Sequence, residues 1–170
     1  MTQTMLPGMP ALDRAKTVGS QEMANLFVDW YFGDHHSVLQ NFSFVGEGAT
    51  RSCFLAGDGI VYKIETDPME MQSETEWDNY LSIHDCLPAG WSVPVMTMYY
   101  VPFNGTELPI IAAEYITGTP LPLIENDSHR WERFNEQCDL FNRLFDMLDV
   151  WDYNVCVRDD GTLCVVDLGL

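Results

Sequence analysis

A chain of 170 residues that is 46% hydrophobic and 20% charged carries enough apolar material for one packed domain and too much for general disorder. Its 26 acidic residues outweigh 8 basic ones to a formal net charge of -18, which excludes nucleic-acid binding by phosphate neutralisation and leaves either a solubilising surface or a basic protein partner. No apolar run reaches the length of a membrane span, and five cysteines (Cys53, Cys86, Cys138, Cys156, Cys164) without a Cys-x-x-Cys spacing give no zinc or redox motif and suit a reducing cytoplasm.

Residues 1–19, with Pro7, Gly8 and Pro10, read as a flexible N-terminal arm without the basic patch and apolar core of a signal peptide. Ser20 is placed to cap a helix over Gln21–Phe32, whose apolar face carries Met23, Leu26, Phe27 and Trp30. From Phe42 to Ile64 the pattern turns to strands. Phe42 and Phe44 alternate, Gly46 and Gly48 make a turn, and Arg51 to Ala56 continues the hairpin. Gly57-Asp58-Gly59 is a second turn, followed by a strand from Ile60 to Ile64. A helix over Met69 to Asp85 comes next, with Met71, Trp77, Tyr80, Leu81 and His84 on its face. Val93 to Val101 and Leu108 to Ile116, separated by the turn pair Asn104-Gly105, complete an antiparallel sheet of about five strands. Gly118 to Asn126 reads as a linker. Asp127 or Ser128 then caps a helix with Trp131, Phe134, Cys138, Phe141, Phe145 and Leu148 at helical spacing, a core stripe. Val155 to Asp167 forms two short strands joined by Asp159-Asp160-Gly161, and His35-His36 suits a surface turn.

A few positions have chemical potential. At Gly46 and Gly48 the backbone N–H groups can approach a phosphate because no Cβ intervenes, although a tight hairpin uses the same residues. Lys63 lies within the apolar run Val61-Tyr62-Lys63-Ile64, so its ammonium must find a polar partner or point to solvent. The following helix offers Glu70, Glu74 and Glu76. Asp149, Asn154 and Asp167 present hard oxygen atoms of the kind Mg²⁺ prefers. In a chain with 26 acids no single Asp is informative, and the signal is the order and spacing of the set.

Asp149-Val150-Trp151-Asp152-Tyr153-Asn154, then two short strands, then Asp167-Leu168-Gly169, resembles the catalytic loop and metal-binding loop of protein kinases. Gly46 and Gly48, Lys63 fifteen residues after Gly48, Glu76, Glu114, Asp149, Asn154 and Asp167 stand in kinase order between Phe42 and Gly169. The chain looks like a minimal protein-kinase-like fold, similar to small truncated kinase-like proteins of bacteriophages. The resemblance implies an α+β fold with a five-stranded antiparallel N-lobe sheet, one αC-like helix and a reduced helical C-lobe. Residues 20–170 would then be a single kinase-like domain, with an N-lobe and extra N-terminal helix over 20–117 and a truncated C-lobe over 118–170. It also implies ATP and Mg²⁺ as cofactors. Lys63, paired with Glu76 or in second place with Glu74, would hold nucleotide phosphates beneath Gly46 and Gly48. The main chain of Glu114 and Ile116, at the hinge, would read the adenine edge. Asp149 would orient or deprotonate the acceptor hydroxyl, and Asn154 and Asp167 would hold the metal.

The sequence departs from the kinase pattern at several points. Met147 stands where the kinase loop has His, and Trp151 where the bacteriophage version has one. No lysine lies between Asp149 and Asn154, Leu168 replaces the usual Phe, and one residue follows Gly169, so no activation segment is expected. The expected function is Mg-ATP-dependent phosphotransfer to a protein partner, to the chain itself or to a small hydroxyl compound. The alternative is an inactive, phage-encoded kinase-like binding module that inhibits a basic host protein in the host cytoplasm through its acidic surface. A reduced lower lobe would leave apolar surface, for which a homodimer is the expected cover.

Overall fold

The computed structural model describes residues 17–33, 42–48, 50–67, 71–124, 128–145 and 150–169. The fold is α+β, and the described residues form a five-stranded antiparallel sheet, a smaller sheet and three α-helices. Helix α1 (Gln21–Phe32) begins where Ser20 Oγ accepts a hydrogen bond from Met23 N at 3.1 Å, as its capping position implies. Its buried face centres on Ala24, Phe27 and Val28, which shifts Met23, Leu26 and Trp30 to the flanks. Phe27 is fully buried among the rings of Trp30, Phe42, Phe54 and Tyr62. That cluster fixes the helix on the sheet.

Strands β1 (Ser43–Glu47), β2 (Arg51–Leu55) and β3 (Ile60–Glu65) precede helix α2 (Gln72–Ile83). Strands β4 (Trp91–Ser92), β5 (Met96–Phe103) and β6 (Thr106–Glu114) follow it, and the main sheet runs β1-β2-β3-β6-β5. The expected five strands are therefore present. Asn104 and Gly105, with φ of 49° and 83°, make the two-residue turn between β5 and β6. Alternation along β3 and β6 divides the sheet between two covers. Tyr62, Ile64, Ile110 and Ala112 pack with α1 on one face, while Ile111 and Ala113 join Tyr80 and Ile83 of α2 on the other. A strand covered on both faces reads as a continuous apolar run, which is how β6 appears in the sequence.

Several expectations change. Gly46 lies inside β1, opposite Cys53, with a bulge between Phe44 and Gly46, and Phe44 is exposed while Phe42 is buried. Gly48 closes the turn through its N–H to Arg51 O at 2.8 Å. Helix α2 starts later than the apolar pattern implied, because Met71 before it has left-handed backbone at φ 51°. The expected linker carries a strand, β7 (Thr119–Pro120), and a 3-10 turn over Leu121–Ile124 whose Leu121 and Ile124 are buried. β7 pairs with β8 (Val155–Val157), β8 with β9 (Leu163–Val165), and β9 with β4, so the second sheet runs β4-β9-β8-β7.

Helix α3 (Ser128–Leu144) buries Phe134, Cys138 and Phe141 of its predicted stripe. One continuous core joins these residues to Leu121, Val155, Leu163 and Leu168, and onward to Ile83 and Ile111 under the main sheet. The two sheets are thereby joined through a shared core beside the space between them. Val18 is tied to β5 by hydrogen bonds with Thr97 Oγ1 at 3.1 Å and Tyr99 Oη at 2.9 Å. Most of the expected N-terminal arm, His35-His36, Glu70, Met147, Leu148 and Asp149 lie outside the described residues.

Candidate functional site

Antiparallel register places Cys53 opposite Lys63 and Arg51 opposite Glu65, so Arg51, Cys53 and Lys63 share the sheet face that looks toward α2. A lysine there is cut off from bulk water and needs a counter-charge. Lys63 is 5% exposed, and its Nζ donates to Oε1 of Glu76 at 2.6 Å and to the carbonyl of Val166 at 3.1 Å. Glu76, wholly buried, is thus the lysine's partner in this geometry, and Glu74 is not.

The carboxylate has a second cation. Arg51 Nη1 donates to Glu76 Oε2, and Nη2 of the same guanidinium donates to Asp167 Oδ1. Two cations and two carboxylates therefore alternate across one cluster, buried at Arg51, Lys63 and Glu76 and partly open at Asp167, whose side chain is 38% exposed, and they use two of the chain's eight basic residues. Burial opposes the charge on Lys63, but Glu76 and Asp167 outweigh it and hold the ammonium above its ordinary range. Burial likewise opposes charge on Arg51, and the same two carboxylates outweigh it. For Asp167 burial pushes the carboxyl upward, yet Lys63 and Arg51 prevail and hold it below the usual range. Burial raises the Cys53 thiol, so this cleft-lining cysteine stays protonated and is a poor nucleophile at neutral pH.

A carboxyl lowered by folding stabilises the protein above its unfolded value of about 3.9 and loses that contribution as pH falls through the lower folded value. Below pH 4 the urea midpoint of the parent is thus expected to fall more steeply than that of Asp167→Asn. Identical acid-side curves for the two would show that the cluster does not stabilise the folded chain through Asp167.

Asp167-Leu168-Gly169 is fastened to α2 through its main chain. Asn79 Nδ2 donates to Leu168 O at 2.7 Å, and Leu168 N donates to Glu76 Oε1 at 3.4 Å. Glu76 and Asn79 are three residues apart and share a helix face. The buried Leu168 side chain anchors the segment in the core. Gly169 N caps Asp167 Oδ1 at 3.0 Å. Asn154 comes into the same cleft because Val166 N bonds its carbonyl at 2.8 Å, at the base of the β8–β9 hairpin. At the loop's start the amide of Asn142 on α3 both donates to Val150 O at 3.0 Å and accepts from Val150 N at 2.9 Å.

These residues surround a cleft of about 840 Å³. Gly46 and Gly48 form part of its roof, Lys63, Arg51 and Asp167 its polar wall, and Glu114, Tyr115 and Ile116 another edge. The N–H of Glu114 is held by Val95 O at 2.9 Å. Trp151 and Tyr153 stand exposed at the cleft with parallel rings 6.2 Å apart. All the predicted site residues within the described chain, with the exception of the wholly buried Glu76, line this cleft, and Glu76 lies directly behind Lys63. Arg51 and Asn142 were not anticipated. Arg51 did carry one signal, as one of only eight basic residues placed two positions before Cys53 on a strand.

The donors suited to a divalent cation are the hard oxygens of Asp167 and Asn154. Among the described residues, no group of three or more His, Cys, Asp or Glu side chains is gathered to hold a metal. The chemistry of the two donors fits Mg²⁺, which keeps several waters and takes further oxygens from phosphates. Among the described residues no helix is long and apolar enough to cross a membrane.

No protein-family model and no curated protein sequence matches the chain. Solved structures similar to it include a GDP complex of a point variant of aminoglycoside 2'-phosphotransferase-IIIa, at 14% identity and TM-score 0.40, covering 60% of this chain and 32% of that one. The GDP complex of the wild-type enzyme is similar at 13% identity and TM-score 0.40, covering 61% and 33%. A GDP and kanamycin complex of the same type of enzyme gives 14% identity and TM-score 0.40, covering 59% and 31%. The chain spans about a third of the length of the solved structures it matches. At these values the likeness carries no argument about activity.

Proposed function

We propose that the chain is a kinase-like phosphotransferase that takes ATP with Mg²⁺ in the cleft between its two sheets. The observation that supports this reading best is the buried Lys63–Glu76 pair, 2.6 Å long, set beside Asp167 under a glycine-containing hairpin. A structural ion pair has no need of a cleft in front of it. A volume of about 840 Å³ also lies within the range of small-molecule sites.

In this reading Glu76 fixes the lysine so that its remaining donor capacity faces the phosphates, while Gly46 and Gly48 bring main-chain N–H groups to the same charge. The Glu114 carbonyl and the Ile116 N–H read the adenine edge, which agrees with the Glu114 N–H being engaged inside the sheet. Asn154 and Asp167 hold the metal, and bound Mg²⁺ supplies neutralisation of phosphate charge. Asp149 orients the acceptor hydroxyl. The acceptor is a protein, this chain or a small hydroxyl compound.

The second reading is a catalytically inactive kinase-like module that binds a basic partner through its acidic surface. One observation favours it: the Asp167 carboxylate already has a cation, Arg51.

Thermal unfolding with and without millimolar ATP and Mg²⁺ separates the two, applied to the parent, Asp167→Asn and Lys63→Met. Binding at one hundred times Kd stabilises by about 2.7 kcal/mol, and each kcal/mol raises Tm by about 2–4 °C at this size. The parent is expected to show a metal-dependent rise that both variants lose. No rise in the parent removes the phosphotransferase reading and leaves the binding module.

A further inference from the structure

The guanidinium of Arg51 lies between Glu76 and Asp167 and donates to both. We propose that Arg51 is a built-in counter-cation for Asp167, whose ion pair excludes a divalent cation, so that metal enters only when the guanidinium is drawn away to the phosphates of a bound nucleotide.

Four features carry this. The cluster is already balanced, with Arg51 and Lys63 against Glu76 and Asp167, so the cleft does not need a metal to neutralise its acids. Asp167 Oδ1 already accepts from Arg51 and from Gly169 N at 3.0 Å. A divalent ion on Asp167 would stand beside a full positive charge, and no third acid is gathered among the described residues to offset the repulsion. Finally, the position is built for the guanidinium. A Cβ at Gly169 would collide with it, so the absence of a side chain there leaves room for Arg51.

The location of Arg51 supplies the other half of the switch. Arg51 O accepts from Gly48 N at 2.8 Å, which makes its backbone part of the hairpin that roofs the cleft. Rotation of the side chain toward the cleft carries the guanidinium to a phosphate under that roof, and planar paired donors suit phosphate oxygens. This half rests on the nucleotide reading. Exclusion of metal from the free chain does not, and it is measured without nucleotide.

The probe is Mn²⁺ alone, followed by the electron paramagnetic resonance signal of the free ion. It is titrated into the parent chain, Arg51→Met, Arg51→Lys and the double variant Arg51→Met with Asp167→Asn. Arg51→Met is expected to bind one ion at least about tenfold more tightly than the parent, a difference of about 1.4 kcal/mol. Lysine is shorter and cannot span both carboxylates, so Arg51→Lys should fall between them, and it carries the comparison if the methionine variant does not fold. The gain should vanish in the double variant. Unchanged affinity in the single variants overturns the proposal. A gain that survives in the double variant overturns it too, because the ion then sits on the acidic surface. A chain that fails to bind ATP in the thermal test leaves this titration fully readable.

Discussion

Glu76→Ala is expected to destabilise the chain by about 3–5 kcal/mol, the usual consequence of leaving buried charge without its partner. The magnitude follows from what the carboxylate does. It is wholly buried, and it is the partner of both Lys63 and Arg51. Removing it strands two cations whose side chains are almost inaccessible, and only Asp167 is left to share between them. It also removes the acceptor for Leu168 N, which loosens the segment that carries Asp167. Glu76→Gln keeps the shape and an acceptor oxygen but not the charge, so its loss should be smaller. Urea unfolding monitored by tryptophan fluorescence measures both, read from the midpoint at unchanged slope. A loss under about 1 kcal/mol for the alanine variant is the scale of an exposed ion pair and would contradict a buried, doubly engaged carboxylate.

What could be read before the fold was known depended on local pattern. Lys63 was visible because a lysine in an apolar strand demands an explanation, and Glu76 because the kinase resemblance calls for a carboxylate on the helix that follows. The main sheet was legible from runs such as Leu108 to Ile116, where burial on both faces leaves a long apolar signature. Of the second sheet, the β8–β9 hairpin was legible from its apolar runs on either side of Asp159-Asp160-Gly161, but β4 and β7, two residues each, are too short for a period to register. Arg51 escaped for a related reason. At the start of a strand beside a glycine turn an arginine usually faces solvent, and nothing nearby in sequence marks its partners. Asp167 is 116 positions away, and only the closure of the second sheet under the first brings the two together. Asn142 has no local signal in the sequence, because its role rests on Val150, whose main chain bonds both ends of its amide in the fold.

The glycine that ends Asp167-Leu168-Gly169 provides the second large effect, and its physical reason is Arg51. Gly169 does not have the left-handed backbone that would itself require glycine, so alanine suits its conformation. Space is the obstacle. A Cβ at this position would run into the guanidinium, with Cζ at 2.9 Å. A free arginine would swing aside at little cost, but this one is held at both ends, by Glu76 and by Asp167. Gly169→Ala must therefore break an ion pair or shift the segment, and a loss of about 1–3 kcal/mol is expected. A double-mutant cycle isolates the cause. In an Arg51→Ala background the same substitution should cost almost nothing, which leaves a coupling energy of about 1–3 kcal/mol between the two sites. Equal losses in both backgrounds would mean that Gly169 is needed for its backbone alone. Coupling without loss of fold would show that Arg51 is seated against Gly169 in solution, the geometry on which the proposed exclusion of a cation depends.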